Sequence, residues 1–174
     1  MKRLGIALIV LCSLLAASPA WADSFSEGQA ALKRGDYSEA IRLFTLDIQS
    51  GQNTPENLAV VYNQRGLAYR RSGQPDKAIA DYNRAMKLSP DDADLYNNRG
   101  IAYKAKGDLR RALADYNRAI ELNPRQANAY YNRSIVHQKR GNLAQAIADV
   151  KRFIELKPDD PDGPARLKRL EKLR

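Results

Sequence analysis

Apolar positions follow three patterns along this chain. The first is an apolar run from Leu4 to Ala17, with Met1-Lys2-Arg3 ahead of it and Ser18-Pro19-Ala20-Trp21-Ala22 behind. The second is a helical stripe. Tyr62, Gly66 and Tyr69 fall at i, i+4, i+7, and Ala78, Tyr82 and Ala85 repeat that spacing. Between these stripes, Gly73 suits the end of a helix and Pro75 the first turn of the next, while Pro90 stops the second helix after Leu88. The third pattern is Leu167, Leu170 and Leu173 at i, i+3, i+6, which predicts a short last helix. Gly66, Ala78 and Ala85 are small where two helices must approach, and Tyr69 and Tyr82 are large where the gap must be filled.

The middle of the chain repeats itself. Tyr62 to Tyr69 reads YNQRGLAY and recurs as YNNRGIAY at Tyr96 to Tyr103. ADYNRA at Ala80–Ala85 recurs at Ala114–Ala119 with the same shift. Block 93–126 matches block 59–92 at 17 of 34 places, and block 127–160 matches 93–126 at 15 of 34. A single helix pair of this kind cannot bury both its stripes, so contiguous repeats predict stacking of neighbouring pairs.

These residues resemble the tetratricopeptide repeat (TPR), with an aromatic at repeat position 4, Gly at 8, Tyr at 11, Ala at 20, an aromatic at 24, Ala at 27 and Pro at 32. Tyr62, Gly66, Tyr69, Ala78, Tyr82, Ala85 and Pro90 fill every place, as do Tyr96, Gly100, Tyr103, Ala112, Tyr116, Ala119 and Pro124. In the third block Tyr130, Ala146 and Pro158 fit, whereas Ser134, His137, Val150 and Phe153 depart. Gly28, Ala31, Gly35, Ala40 and Phe44 keep the spacing of a degenerate earlier repeat. Its tail, Ser50 to Pro55, overruns the pattern and predicts a looser turn before residue 59. The resemblance implies an all-α, right-handed TPR superhelix (α-solenoid) of helix-turn-helix repeats. The expected segments are 23–58, 59–92, 93–126 and 127–160, with a C-terminal capping helix in 161–174.

The opening run has the form of a secretory signal peptide over 1–22, with a basic start, an apolar stretch and small residues before a cleavage point after Ala22. The apolar stretch is short of the ~20 residues that span a bilayer. An uncleaved N-terminal anchor is the alternative. Cys12 lies inside the run and would leave with it, so the expected location is periplasmic or secreted. Cleavage also changes the charge. The whole chain carries 29 Lys and Arg against 20 Asp and Glu, a net +9, and loss of Lys2 and Arg3 leaves +7. Of that +7, +4 resides in Arg166, Lys168, Arg169, Lys172 and Arg174 against Glu171.

Chemistry for catalysis is sparse. One His and one Cys exclude His/Cys metal clusters and disulfide frameworks, and every glycine comes with repeat punctuation rather than a phosphate loop. His137 takes a Tyr place in a packing stripe, which predicts a core or half-buried histidine. The expectation is therefore no catalytic residue, no cofactor and no metal site.

The resemblance implies a concave groove lined by the first helices at repeat positions 5, 6, 9 and 12. These are Asn63, Gln64, Leu67 and Arg70, then Asn97, Asn98, Ile101 and Lys104, then Tyr131, Asn132, Ile135 and Gln138. Amides can bond an extended peptide, the aliphatics offer apolar seats, and Arg70 and Lys104 favour an acidic partner. The alternative for each Asn is a solvated helix face. The family's C-terminal-carboxylate clamp needs Lys at position 5, where this chain has Asn63, Asn97 and Tyr131. Separately, Arg65, Arg99 and Arg133 precede Asp81, Asp115 and Asp149 at one constant interval. That constancy predicts three bidentate Arg–Asp pairs between helices of a repeat; the alternative is an Arg ladder for phosphate or carboxylate ligands. The resulting expectation is an exported, non-catalytic scaffold for protein or peptide. Binding of an anionic polymer or a membrane surface through the basic last helix is the competing reading. Export argues against nucleic acid.

Overall fold

The computed structural model describes residues 20–173, with side chains from Ser24 onward; the targeting segment expected over 1–22 lies, through Pro19, outside the described residues. The described residues form helices and turns. In order they are α1 (Ala20–Arg34), α2 (Tyr37–Ser50), α3 (Pro55–Arg71), α4 (Pro75–Leu88), α5 (Ala93–Ala105), α6 (Leu109–Leu122), α7 (Ala127–Lys139), α8 (Leu143–Leu156) and α9 (Asp162–Glu171). Odd and even helices pair as hairpins, each hairpin packs on the next, and α9 closes on α8. The odd helices also touch one another in turn, from α1 through α7, which lines one side of the solenoid with first helices alone.

Local chemistry sets the boundaries. Asp36, Thr54, Asp92 and Asp108 each accept a backbone N–H of the first turn that follows, filling donors no helix can satisfy internally. Within each repeat the hairpin turn needs one left-handed residue. At Gly73 φ is +77°, and the next N–H, of Gln74, reaches back to the Tyr69 carbonyl at 2.8 Å.

The junction before residue 59 differs from expectation. Thr54 caps, Pro55 occupies the first helical place and Glu56 follows in the first turn, so residues 55–58 extend α3 to 17 residues against 13 in α5 and α7. The extra stretch makes a turn of helix because it carries helix-start chemistry.

The core of each of the first three hairpins is an aromatic ring laid on a glycine. A Cβ at Gly28, Gly66 or Gly100 would sit 2.8, 2.8 or 2.6 Å from the ring of Phe44, Tyr82 or Tyr116. All three rings are fully buried. In the last hairpin both members change together, with Ser134 and the smaller Val150 both at 0% exposure. Alanines at 68, 78, 85, 102, 112, 119 and 146 are likewise fully buried, keeping the helices close. Tyr96 and Tyr130 donate to the carbonyls of Pro90 and Pro124, joining each repeat to the one before.

The helix α9 takes the register of a further first helix. Gly163 packs on Phe153 and Ile154, and Leu170 is completely buried beside Ala146 and Val150. The predicted leucine stripe is corrected in one place: Leu173 is 57% exposed, because the helix ends at Glu171 and the residue falls past its last turn.

Candidate functional site

The inner wall is formed by α3, α5, α7 and, at its end, α9. On it the stripe residues Asn63, Gln64, Leu67, Arg70, Asn98, Ile101, Lys104, Tyr131, Asn132, Ile135 and Gln138 are half-buried, and Asn97 is buried. The amides are linked from helix to helix. Asn98 Nδ2 donates to Asn63 Oδ1 at 3.1 Å, and Asn132 Nδ2 donates to Asn97 Oδ1 at 3.1 Å. Each link uses one acceptor and one donor, so among the described residues the amide N–H groups of Asn63 and Asn97 and the carbonyl oxygen of Asn98 enter neither link. Lys104 Nζ donates to Asn132 Oδ1 at 3.2 Å.

At the last step the pattern changes chemistry. Tyr131 replaces Asn, and Arg166 of α9 lies over its ring at 5.6 Å from the centroid. Arg166 also donates to Ser134 Oγ at 2.8 Å and to Gln138 Oε1 at 3.0 Å. Tyr131 leans on Phe153 at 4.9 Å between ring centroids. A cavity of about 230 Å³ opens beside them, walled by Ile101, Tyr131 and Asn132 and bordered by Asp160 and Asp162.

Behind the wall, Arg65, Arg99 and Arg133 each meet an aspartate through two bonds. Arg65 Nε and Nη2 lie 2.6 and 2.8 Å from the Asp81 oxygens; for Arg99–Asp115 and Arg133–Asp149 the distances are 2.9 and 2.6 Å. The third nitrogen, Nη1, crosses to the preceding repeat, reaching Thr45 at 3.0 Å, Asn83 at 2.6 Å and Asn117 at 2.8 Å. Each guanidinium thus ties three helices. Tyrosines flank it at 5.5–5.8 Å, both Tyr62 and Tyr69 in the case of Arg65. Burial opposes the charge on Arg65, but the Asp81 carboxylate outweighs it and holds the arginine above its ordinary pKa. The hydrogen bonds that Arg99 and Arg133 donate to Asp115 and Asp149 raise both arginines in the same direction. Spacing along the chain pointed to the aspartates but not to Thr45, Asn83 or Asn117. The recurring Asn after Tyr82 and Tyr116 was the available signal.

His137 is half-buried. Its Nε2 lies 3.9 Å from Asp149 and its Nδ1 is buried without a partner. Burial holds its pKa below the ordinary histidine value, against the pull of Asp149 and with the push of Arg133 and Arg140. On the inner wall a second group of cations has no such acids. Among the described residues, no ion pair involves Arg70, Lys104, Lys139 or Arg166. Burial first, then Lys139, Arg70 and Arg166, push the Lys104 pKa below the ordinary lysine value.

Two family models match this arrangement, one described as TPR repeat over residues 66–107 and one as Tetratricopeptide repeat over 99–170. The repeats are tetratricopeptide repeats. The chain is similar to the Arabidopsis thaliana chloroplastic TPR domain-containing protein PYG7, with 36% identity over 66 residues. That match covers 38% of this chain and 22% of the plant protein, so the chain spans about a fifth of the relative's length. Among solved structures, the first TPR of Spaghetti (RPAP3), bound to the HSP90 peptide SRMEEVD, is 28% identical. It superposes with a TM-score of 0.65 over 68% of this chain and 94% of that one. The MamA crystal structure is 25% identical, with a TM-score of 0.71 over 83% and 82% of the two chains. The TPR α-solenoid is therefore the fold of this protein.

Proposed function

We propose that this TPR protein is an exported, non-catalytic scaffold that holds an extended segment of another protein against its inner wall. The observation that carries the reading is the linked amide row beside aliphatic seats. Asn63, Asn98 and Asn97 retain donors and acceptors at adjacent helices, next to Leu67, Ile101 and Ile135. Main-chain groups of an extended peptide match such a row, and its side chains alternate toward the apolar seats. A similar TPR domain was solved with a peptide bound, which supports the reading. Export rests on the opening run alone.

Photo-crosslinking in the producing cell tests the proposal. A crosslinker placed at Ile101 is expected to capture a partner segment, and one at Lys87 on the outer side of α4 is not. Asn63→Ala with Asn97→Ala should abolish the Ile101 product; an undiminished product would mean that the inner wall is not the site. N-terminal sequencing of the exported protein should begin at Asp23.

The second reading, attachment to an anionic polymer or membrane surface, draws on Lys168, Arg169 and Lys172 of the last turns, all outside the core. It predicts binding that weakens steeply with salt and ignores Asn97→Ala.

A further inference from the structure

The inner wall holds a group of cations with no matching carboxylate among the described residues. Arg70 and Lys104 recur at the same repeat position on adjacent helices α3 and α5, and Arg166 enters from α9. Lys104 is anchored on Asn132 and Arg166 on Gln138, so both cations are held on α7, one from α5 and one from α9. None of the three meets a carboxylate among the described residues. Arg70 Nε is buried and makes no well-formed hydrogen bond among the described residues, although its side chain reaches the Tyr82 hydroxyl closely enough to pull on it. The Tyr116 hydroxyl likewise makes no well-formed bond among the described residues, and both tyrosines, at 0% exposure, feel the Arg70 charge. Buried polar groups of this kind are ordinarily bonded, and leaving them unmade is costly. Burial pushes the Tyr82 hydroxyl pKa up to about 12, so it stays a neutral O–H able to donate.

We infer that the groove contains a carboxylate subsite, in which aspartate or glutamate side chains of the bound protein segment sit along the line from Arg70 through Lys104 to Arg166. The inference rests on the inner wall being the binding face, and it adds which residue type the wall selects. A carboxylate supplies the counter-charge that these cations lack and relieves the repulsion among them. The three pairs at Arg65, Arg99 and Arg133 take no part, because their aspartates already fill them. Asp160 and Asp162, which border the cavity beside Ile101 and Tyr131, would repel the same residue there and so give the segment a preferred register.

Random dodecapeptides displayed against the full chain provide the probe, followed by anisotropy measurements with the selected peptides. Wild-type protein is expected to select Asp or Glu at a fixed position. Exchanging that residue for Gln or Asn should weaken binding about tenfold. The exchange should cost nothing in Arg70→Gln with Lys104→Gln, while Asn97→Ala weakens both peptides alike. Peptides that respond to Asn97→Ala but are indifferent to the acid-to-amide exchange would overturn the subsite and leave the groove standing. Peptides that bind equally well after Asn63→Ala with Asn97→Ala would overturn the groove reading and the subsite with it. Far-UV circular dichroism of each variant guards against loss of fold, and Arg70→Lys should retain part of the preference for the acid.

Discussion

At Gly100 one added methyl would stand 2.6 Å from Tyr116 Cε1, and that ring has no exposed edge to yield. Gly100→Ala gains about 1 kcal/mol of helix propensity. Overpacking of a tight core costs about 1–3 kcal/mol. The second effect should win, lowering stability in urea unfolding by on the order of 1 kcal/mol. The Ser134–Val150 pair shows how the contact can be rebuilt: Gly100→Ser should cost less in a Tyr116→Val background than alone. Arg99 belongs to a different class of contact. Arg99→Ala leaves Asp115, 5% exposed, without its two-pronged partner and should cost about 2–3 kcal/mol. Arg99→Lys should recover only part of this, since lysine cannot bond Asp115 and Asn83 in one fork. Arg42→Ala, at an exposed pair with Glu39, should not measurably change stability.

Helices α7 and α8 differ from the two hairpins before them because Ser134, His137, Val150 and Phe153 replace Gly, Tyr, Tyr and Ala, and His137 titrates near neutral pH. The Tyr69 and Tyr103 place is His137 in α7, facing Asp149, Arg133 and Arg140. Its folded pKa lies below the unfolded value of about 6.5. As pH falls through that value the unfolded chain takes the proton first, so stability should drop as pH decreases from about 6.5 and level off below the folded pKa. Thermal melts between pH 7.5 and 5 should show this loss, and His137→Tyr should reduce it. The last helix, α9, acts as the cap of this pair. Leu170 and Gly163 cover Ala146, Val150 and Ile154, so stopping the chain at Asp160 should lower the melting temperature and increase binding of an apolar dye.

Across the whole solenoid, charge is divided between two layers. Between the helices, arginines are neutralised by aspartates; on the inner wall, Arg70, Lys104, Lys139 and Arg166 form no ion pair among the described residues. Such a wall is kept at a cost in stability, as functional sites often are. Lys104 has a folded pKa below its unfolded value of about 10.4. Its penalty is therefore full below the folded pKa and fades as pH rises toward the unfolded one. Lys104→Gln should raise the melting temperature at pH 7, with the gain shrinking near pH 10 and at high salt, while binding of acidic peptides falls. A lower melting temperature at pH 7 would contradict the account of an uncompensated wall.

Periodicity was enough for much of this molecule. The i, i+4, i+7 stripes, the glycine and proline punctuation and the constant shift between blocks identify helix pairs, because helix formation and hairpin closure depend on residues near one another in the chain. The glycine beneath each aromatic, and the fixed interval from Arg99 to Asp115 and its equivalents, are legible for the same reason: they lie within one repeat. What lies between repeats was not legible. Asn98 reaching Asn63, Arg99 reaching Asn83 and Arg166 turning inward onto Tyr131 depend on how one hairpin is rotated against the next. That rotation is set by the packing of rings, glycines and alanines in three dimensions, and no single-helix period encodes it. The amino-acid order therefore determined the repeat and its internal contacts, while only the stacked structure decided which cations share the inner wall without an acid.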